Sequence, residues 1–189
     1  MTPSKEHWQV NTDHIARLIL DAAAKSHSEE ELKMAVEPVL QSAMKLMGID
    51  VSTVRYEKTT TVFGGRRDSV YGFLTIEYKR PGRLASGTEA AAAEKQLKGY
   101  LADDATKFGG DREDYLEKAV GIAIDGEQVM FVLFSKSGTQ LQLPVPQVGT
   151  DQLLFPDADI RRGFQVLGPY PVSTASIELV GQPKCRGGR

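Results

Sequence analysis

The sequence predicts a mixed β-sheet with helices on its faces, an α/β fold of the α+β sandwich kind. Three observations predict it. Apolar residues recur at helical spacing as far as Gly48 and alternate with a period of two from Val51. Gly64-Gly65, Pro81-Gly82 and Gly109-Gly110 then cut the chain into strand- and helix-length pieces. Finally, Asp125-Gly126 sits between two short apolar runs, which is a hairpin signal.

Taken in order, residues 12–25 read as a short helix capped by Thr12 or Asp13, with Ile15, Leu18 and Ile19 on its apolar side. Ser28 caps a second helix whose first turn holds Glu29, Glu30 and Glu31. Its buried stripe is Leu32, Val36, Val39, Leu40, Ala43 and Met47; Gly48 ends it, and Pro38 is expected to bend it. Val51–Thr61 alternates as a strand, and Val70–Arg80 as a second one, stopped by Pro81-Gly82. Thr88 is expected to cap an alanine-rich helix running to about Lys107. Ala119–Ile124 and Val129–Phe134 form the hairpin around Asp125-Gly126. Beyond Ser135 the expectations are a strand at Gln140–Leu143, a helix at Asp157–Leu167 and a frayed tail.

With 189 residues, 41% hydrophobic and 25% charged, the chain suits one domain, 1–189, with a core about 28–135 and a C-terminal extension over 136–189. The abrupt end after Ile177-Glu178-Leu179-Val180 favours a fragment of a longer chain. A net charge of −2 means that any nucleic-acid reading must rest on a local site. The single cysteine, Cys185, excludes a disulfide framework and a multi-cysteine zinc site, and fits a cytoplasmic location. His7, His14 and His27 lack ligand spacing and read as surface residues. No apolar run approaches the roughly 18 residues of a membrane span, so no membrane partner is expected.

The chemistry lies in Gly64–Gly82, GGRRDSVYGFLTIEYKRPG. If Val70–Lys79 is one strand, Tyr71, Phe73, Thr75, Glu77 and Lys79 share a face, while Val70, Gly72, Leu74, Ile76 and Tyr78 share the other. A carboxylate beside an ammonium at a strand end can hold a divalent cation and polarise water. Asp68 lies just before the strand, and a sharp hairpin there would bring its carboxylate to Glu77. Two carboxylates, water and a substrate phosphate suit magnesium, and manganese also fits. Between residues 64 and 83, Arg66, Arg67, Lys79, Arg80 and Arg83 outnumber Asp68 and Glu77, which favours a phosphate backbone.

Asp68 followed by Glu77-Tyr78-Lys79 on a strand resembles the PD-(D/E)XK nuclease superfamily, in particular nuclease domains of type I or type IIG-like restriction-modification enzymes. Gln96 and Tyr100 match the Q-x-x-x-Y motif of its RecB-like branch, and Glu37 resembles the first-helix acid. Arg67 stands where the family has proline, and Pro38 sits beside Glu37, so Glu29 and Glu30 remain candidates for that acid. The resemblance covers about residues 29–134. It implies a restriction-endonuclease-like sheet flanked by helices and a Mg2+-dependent deoxyribonuclease. Asp68, Glu77, Lys79 and Gln96 would be catalytic; Asp68, Glu77, Glu37 and the Tyr78 backbone carbonyl would hold the metal. Arg66, Arg67, Arg80, Arg83 and Tyr100 would contact DNA, Tyr100 alternatively buttressing Gln96. The chain contains no Walker-type or methyltransferase glycine motif, so a methyltransferase, helicase or specificity module would lie elsewhere in the chain or complex. Cutting both strands implies a homodimer. Two other readings stay open: a catalytically silent nucleic-acid-binding or assembly module, and a small-molecule-binding domain with a closed apolar pocket.

Overall fold

The structure, a computed structural model, describes residues 5–46, 55–56, 68–136 and 163–180. It is an α/β fold. Two helices, α1 (Lys5–Lys25) and α2 (Glu29–Leu46), precede strands β1 (Arg55–Tyr56), β2 (Ser69–Tyr71) and β3 (Leu74–Tyr78). A 3-10 turn (Arg83–Ala85), α3 (Gly87–Lys107) and α4 (Arg112–Lys118) follow. The chain then forms β4 (Val120–Ile124), β5 (Gln128–Ser135), β6 (Gly163–Pro171) and α5 (Thr174–Val180). The six strands lie side by side in sequence order. All neighbours are antiparallel except β3 and β4, which run parallel. A parallel pair needs a long crossover, and α3 with α4 supplies it.

The sheet separates two apolar layers because its strands alternate. Leu74, Ile76 and Tyr78 of β3 and Ile122 and Ile124 of β4 pack against Ile19, Leu32, Val36 and Leu40 of α1 and α2. On the opposite side, Ala123, Met130 and Val132 meet Ala93, Leu97 and Leu101 of α3 with Leu116 of α4. Gly121 lets α3 come close, since a Cβ there would lie 3.2 Å from Leu97. The β3–β4 pair is therefore covered on both faces, as parallel strands normally are.

Several sequence expectations are corrected. The first helix starts at Lys5, so Thr12 is a buried residue within it rather than its cap. No glycine or proline in residues 5–11 stops the helix from extending that way. The cap of α3 position is Ser86, not Thr88. Val70–Lys79 is not one strand but the hairpin β2–β3, turning at Gly72-Phe73, where Gly72 has φ +58°. That left-handed value is what a two-residue hairpin turn demands. Tyr71 thereby joins Leu74 on the α2 side instead of facing with Glu77. The helix expected to end at Leu167 is instead strand β6 from Gly163, where Phe164 and Val166 turn to the α3 side and Leu167 to the other. Aromatic and β-branched side chains bracketed by Gly163 and Gly168-Pro169 favour this outcome. Helix α4, absent from the sequence reading, is capped by Asp111, whose side chain accepts from the amides of Glu113 (2.7 Å) and Asp114 (3.0 Å).

Other expectations hold. Ser28 Oγ accepts from the Glu31 amide at 3.2 Å while Glu31 accepts from the His27 amide at 2.7 Å, a reciprocal cap opening α2. Pro38 lies inside α2, which continues to Leu46, so it marks no join. The hairpin at Asp125-Gly126 joins β4 to β5, and His14 and His27 are exposed. The remainder of Val51–Thr61, and the expectations at Gly48, Gly64-Gly65, Gln140–Leu143 and Cys185, lie outside the described residues. None of the described helices is long and apolar enough to cross a membrane.

Candidate active site

The site lies where β3 ends beside the parallel strand β4, the end of a parallel pair at which α/β folds place ligands. The hairpin carries Asp68 back alongside β3, and its Oδ2 accepts from the Tyr78 amide at 2.8 Å. The turn lies at Gly72-Phe73, beyond Asp68, and not in the stretch before Val70. From α2, Lys33 Nζ donates to Asp68 Oδ1 at 3.1 Å.

Glu77 faces α3 and is buried, its residue 3% exposed. Its Oε1 accepts from Lys79 Nζ at 2.7 Å and from Gln96 Nε2 at 2.6 Å. Lys79 Nζ also donates to Gln96 Oε1 at 3.1 Å, and the Lys79 amide donates to the Ile124 carbonyl at 2.9 Å, which ties its backbone to β4. Gln96 Nε2 lies 2.6 Å from the Tyr100 hydroxyl, which accepts from it. The spacing of Gln96 and Tyr100 by four residues puts both on one face of α3. Tyr100 is 1% exposed, so it is placed to buttress Gln96 and not to reach DNA.

The second oxygen of Glu77, Oε2, is buried without a hydrogen-bond partner among the described residues. Burial pushes the Glu77 carboxyl up to about 7, against the pull of Lys79; the charges of Asp68 and Glu29 push it further up. Burial likewise raises Glu29, with Lys79 lowering it and Asp68 raising it. Glu29 thus shares the field of this cluster, whereas Glu30 is exposed.

Glu37 is not brought to the cluster. It is buried under the opposite face of β3, where the hydroxyls of Tyr71 and Tyr78 donate to its two carboxylate oxygens. Gln41 Nε2 donates to the Tyr71 hydroxyl at 3.1 Å. Both carboxylate oxygens are engaged where side chains alternate away from Glu77, so its placement does not fit a metal ligand. Of Glu29, Glu30 and Glu37, Glu29 is the one whose carboxyl feels both Lys79 and Asp68.

The Tyr78 carbonyl lies between Glu77 and Lys79 in the chain, at the strand's end. Arg80 is exposed just after it, and Arg83, also exposed, pairs with Glu89 at 3.2 Å. Arg66 and Arg67 lie outside the described residues. The loop bearing Arg80 and Arg83 is fixed from beneath by Asp125, which is fully buried. Its Oδ2 accepts from the Leu84 amide at 2.7 Å, and its Oδ1 from the amides of Glu127 (3.0 Å) and Gln128 (2.6 Å). Sequence reasoning missed two of these residues. Lys33 stands four positions after Glu29 on one helix face, a readable spacing. The tie from Asp125 to Leu84 spans 41 positions and leaves no local signal.

Among the described residues, no three His, Cys, Asp or Glu side chains are grouped closely enough to hold a metal by themselves. An apolar gap of about 10 Å3 between α2, β3, β4 and α5, lined by Leu40, Met44, Ile76 and Ile177, has room for no more than a water. It offers nothing to a small-molecule ligand. Comparison of the chain with protein-family models, with curated proteins and with solved structures gives no match.

Proposed function

We propose that this chain is a magnesium-dependent DNA endonuclease domain of the PD-(D/E)XK kind, the cleaving part of a restriction-modification or defence system. One observation carries the reading. The hairpin sets Asp68 on the Tyr78 amide at the strand end where Glu77, Lys79 and Gln96 converge, and leaves a buried Glu77 oxygen without a partner. A carboxylate oxygen held in that way suits a cation that enters with the substrate. Sharing by two carboxylates, water and a phosphate matches magnesium, which seldom takes an all-protein cage. Asp68, Glu77 and the Tyr78 carbonyl would hold it, with Glu29 as the acid from α2. Bound there, the cation would neutralise charge developing on the phosphate.

The chain's own residues do the rest. Lys79, anchored between Glu77 and Gln96, sets a fixed ammonium beside the phosphate and orients the attacking water. Gln96 holds Glu77 and Lys79 in register, and Tyr100 holds Gln96. Water adds to phosphorus, the P–O ester bond breaks and the departing oxygen takes a proton. Arg80 and Arg83 sit on the adjoining exposed loop, where phosphate contacts would set register without reading sequence.

The test is nicking of supercoiled plasmid with Mg2+ or Mn2+. Asp68→Ala, Glu77→Ala and Lys79→Ala are each expected to lose at least about a hundredfold in rate. Cleavage retained in folded Glu77→Ala would overturn the assignment.

The alternative, a silent nucleic-acid-binding module, draws on a specific observation as well. Both carboxylates already carry lysine partners, and no group of three metal-ligating side chains is present among the described residues. On that reading, wild type binds DNA without cutting it and is indifferent to magnesium.

A further inference from the structure

Two lysines serve the carboxylates of this site, and they are held very differently. Lys79 is fixed by two acceptors, Glu77 Oε1 at 2.7 Å and Gln96 Oε1 at 3.1 Å, and by its own backbone bond to Ile124. Lys33 reaches in from the first turns of α2, its side chain 17% exposed, to Asp68 Oδ1 at 3.1 Å. Its ammonium stands on a four-carbon stem whose donors re-aim readily. Asp68 itself is held independently of Lys33, because the Tyr78 amide binds its other oxygen. The carboxylate would therefore keep its place if the lysine left.

We propose that Lys33 is a resident counter-ion of Asp68, displaced when a divalent cation binds and released to a DNA phosphate. The inference rests on the nuclease reading and adds a residue to it. Without a cation, Lys33 neutralises Asp68 and Lys79 neutralises Glu77, each through a direct ion pair. Lys33 Nζ lies 3.1 Å from Asp68 Oδ1, so a divalent ion bound to that oxygen would stand within roughly 5 Å of the ammonium, where like charges repel even with partial screening. Lys79 has two anchors and stays; Lys33 yields. Once free at the rim, it meets the negative charge of the incoming strand. Cation and phosphate then favour one another, because whatever draws Lys33 from Asp68 assists the other ligand, and such coupling is reciprocal.

The experiment is a calorimetric titration of Mn2+ into wild type, Lys33→Met and Lys33→Gln, all without DNA. Each variant's fold is checked by urea unfolding. Removing the competing charge is expected to tighten Mn2+ binding about tenfold in both variants. Lys33→Gln retains a donor for Asp68, and so serves if Lys33→Met does not fold. A Lys33 that only ties α2 to the hairpin would leave Mn2+ affinity unchanged and lower stability; that result overturns the proposal while the nuclease reading stands. No Mn2+ binding by wild type or variants would overturn the counter-ion proposal, and absence of plasmid nicking in Mn2+ as well would overturn both.

Discussion

Glu77 makes the stability of this protein depend on pH in a direction opposite to that of most carboxylates. Its folded-state pKa of about 7 lies above the unfolded value of 4.5, so between these the folded state binds the extra proton. Stability then falls as pH rises through that window, by about 1.4 kcal/mol per unit where the two states differ by a full proton. Integrating from pH 5 to pH 8 gives a loss of about 2–3 kcal/mol attributable to this one group. Its side chain is only 4% exposed, so solvent screening takes little from that figure. Glu77→Gln removes the titration and keeps the shape, with an amide where the carboxylate accepted from Lys79. Urea unfolding of wild type and Glu77→Gln at both pH values isolates the effect, since contributions from groups remote from position 77 cancel in the comparison. The stability of wild type relative to the variant should fall by about 2–3 kcal/mol between pH 5 and pH 8. Millimolar Mg2+ should recover part of that loss at pH 8, because a cation stabilises the ionised form. Parallel pH profiles in the two proteins would refute the reasoning, showing that water or another cation already solvates the buried oxygen.

Two glycines with positive φ separate backbone strain from crowding. Gly72→Ala meets no atom within 4 Å and should lose only the roughly 1–2 kcal/mol of a left-handed alanine. Gly126→Ala would put its Cβ 2.5 Å from Ala23 Cβ and 2.8 Å from Leu32 Cδ1, so thermal or urea unfolding should show a clearly larger loss; equal losses would mean that α1 and α2 shift aside freely. Tyr78→Phe removes one of the two hydroxyls donating to Glu37, and should lower stability by about 1–3 kcal/mol in urea unfolding. Because that hydroxyl lies away from Glu77, cation affinity should be unchanged, and a shift in it would place Glu37 in the site after all.

Much of this was legible in the sequence because it is encoded locally. Ser28 and the three glutamates after it open α2, Asp125-Gly126 turns β4 into β5, and Glu77 and Lys79 share a face by strand alternation alone. What escaped depends on partners distant along the chain. Gly72 reads equally as a strand interior or a turn until β2 is seen to lie on β3. Residues Phe164–Leu167 carry apolar side chains at spacings that fit a helix, and only pairing with β5 selects the strand. Glu37 shows the same limit within the site. Its position on the inner stripe of α2 is visible, but the two tyrosine hydroxyls that claim it come from the hairpin 34 and 41 positions later.

The two faces of β3 divide the labour between the acids. On one face an acid is committed to structure: Glu37 receives two phenol hydroxyls, which fix α2 on the hairpin and leave the carboxylate nothing to offer a ligand. On the other, Glu77 keeps one oxygen in reserve while its neighbours Lys79 and Gln96 occupy the first. An unpartnered carboxylate oxygen in a dry site is costly unless a ligand takes it up. The fixing of α2 by Glu37 also sets where Glu29 and Lys33 fall, about two turns and one turn before it on the same helix. The structural acid thus determines which lysine of α2 pairs with Asp68, although it touches neither Glu77 nor Lys79.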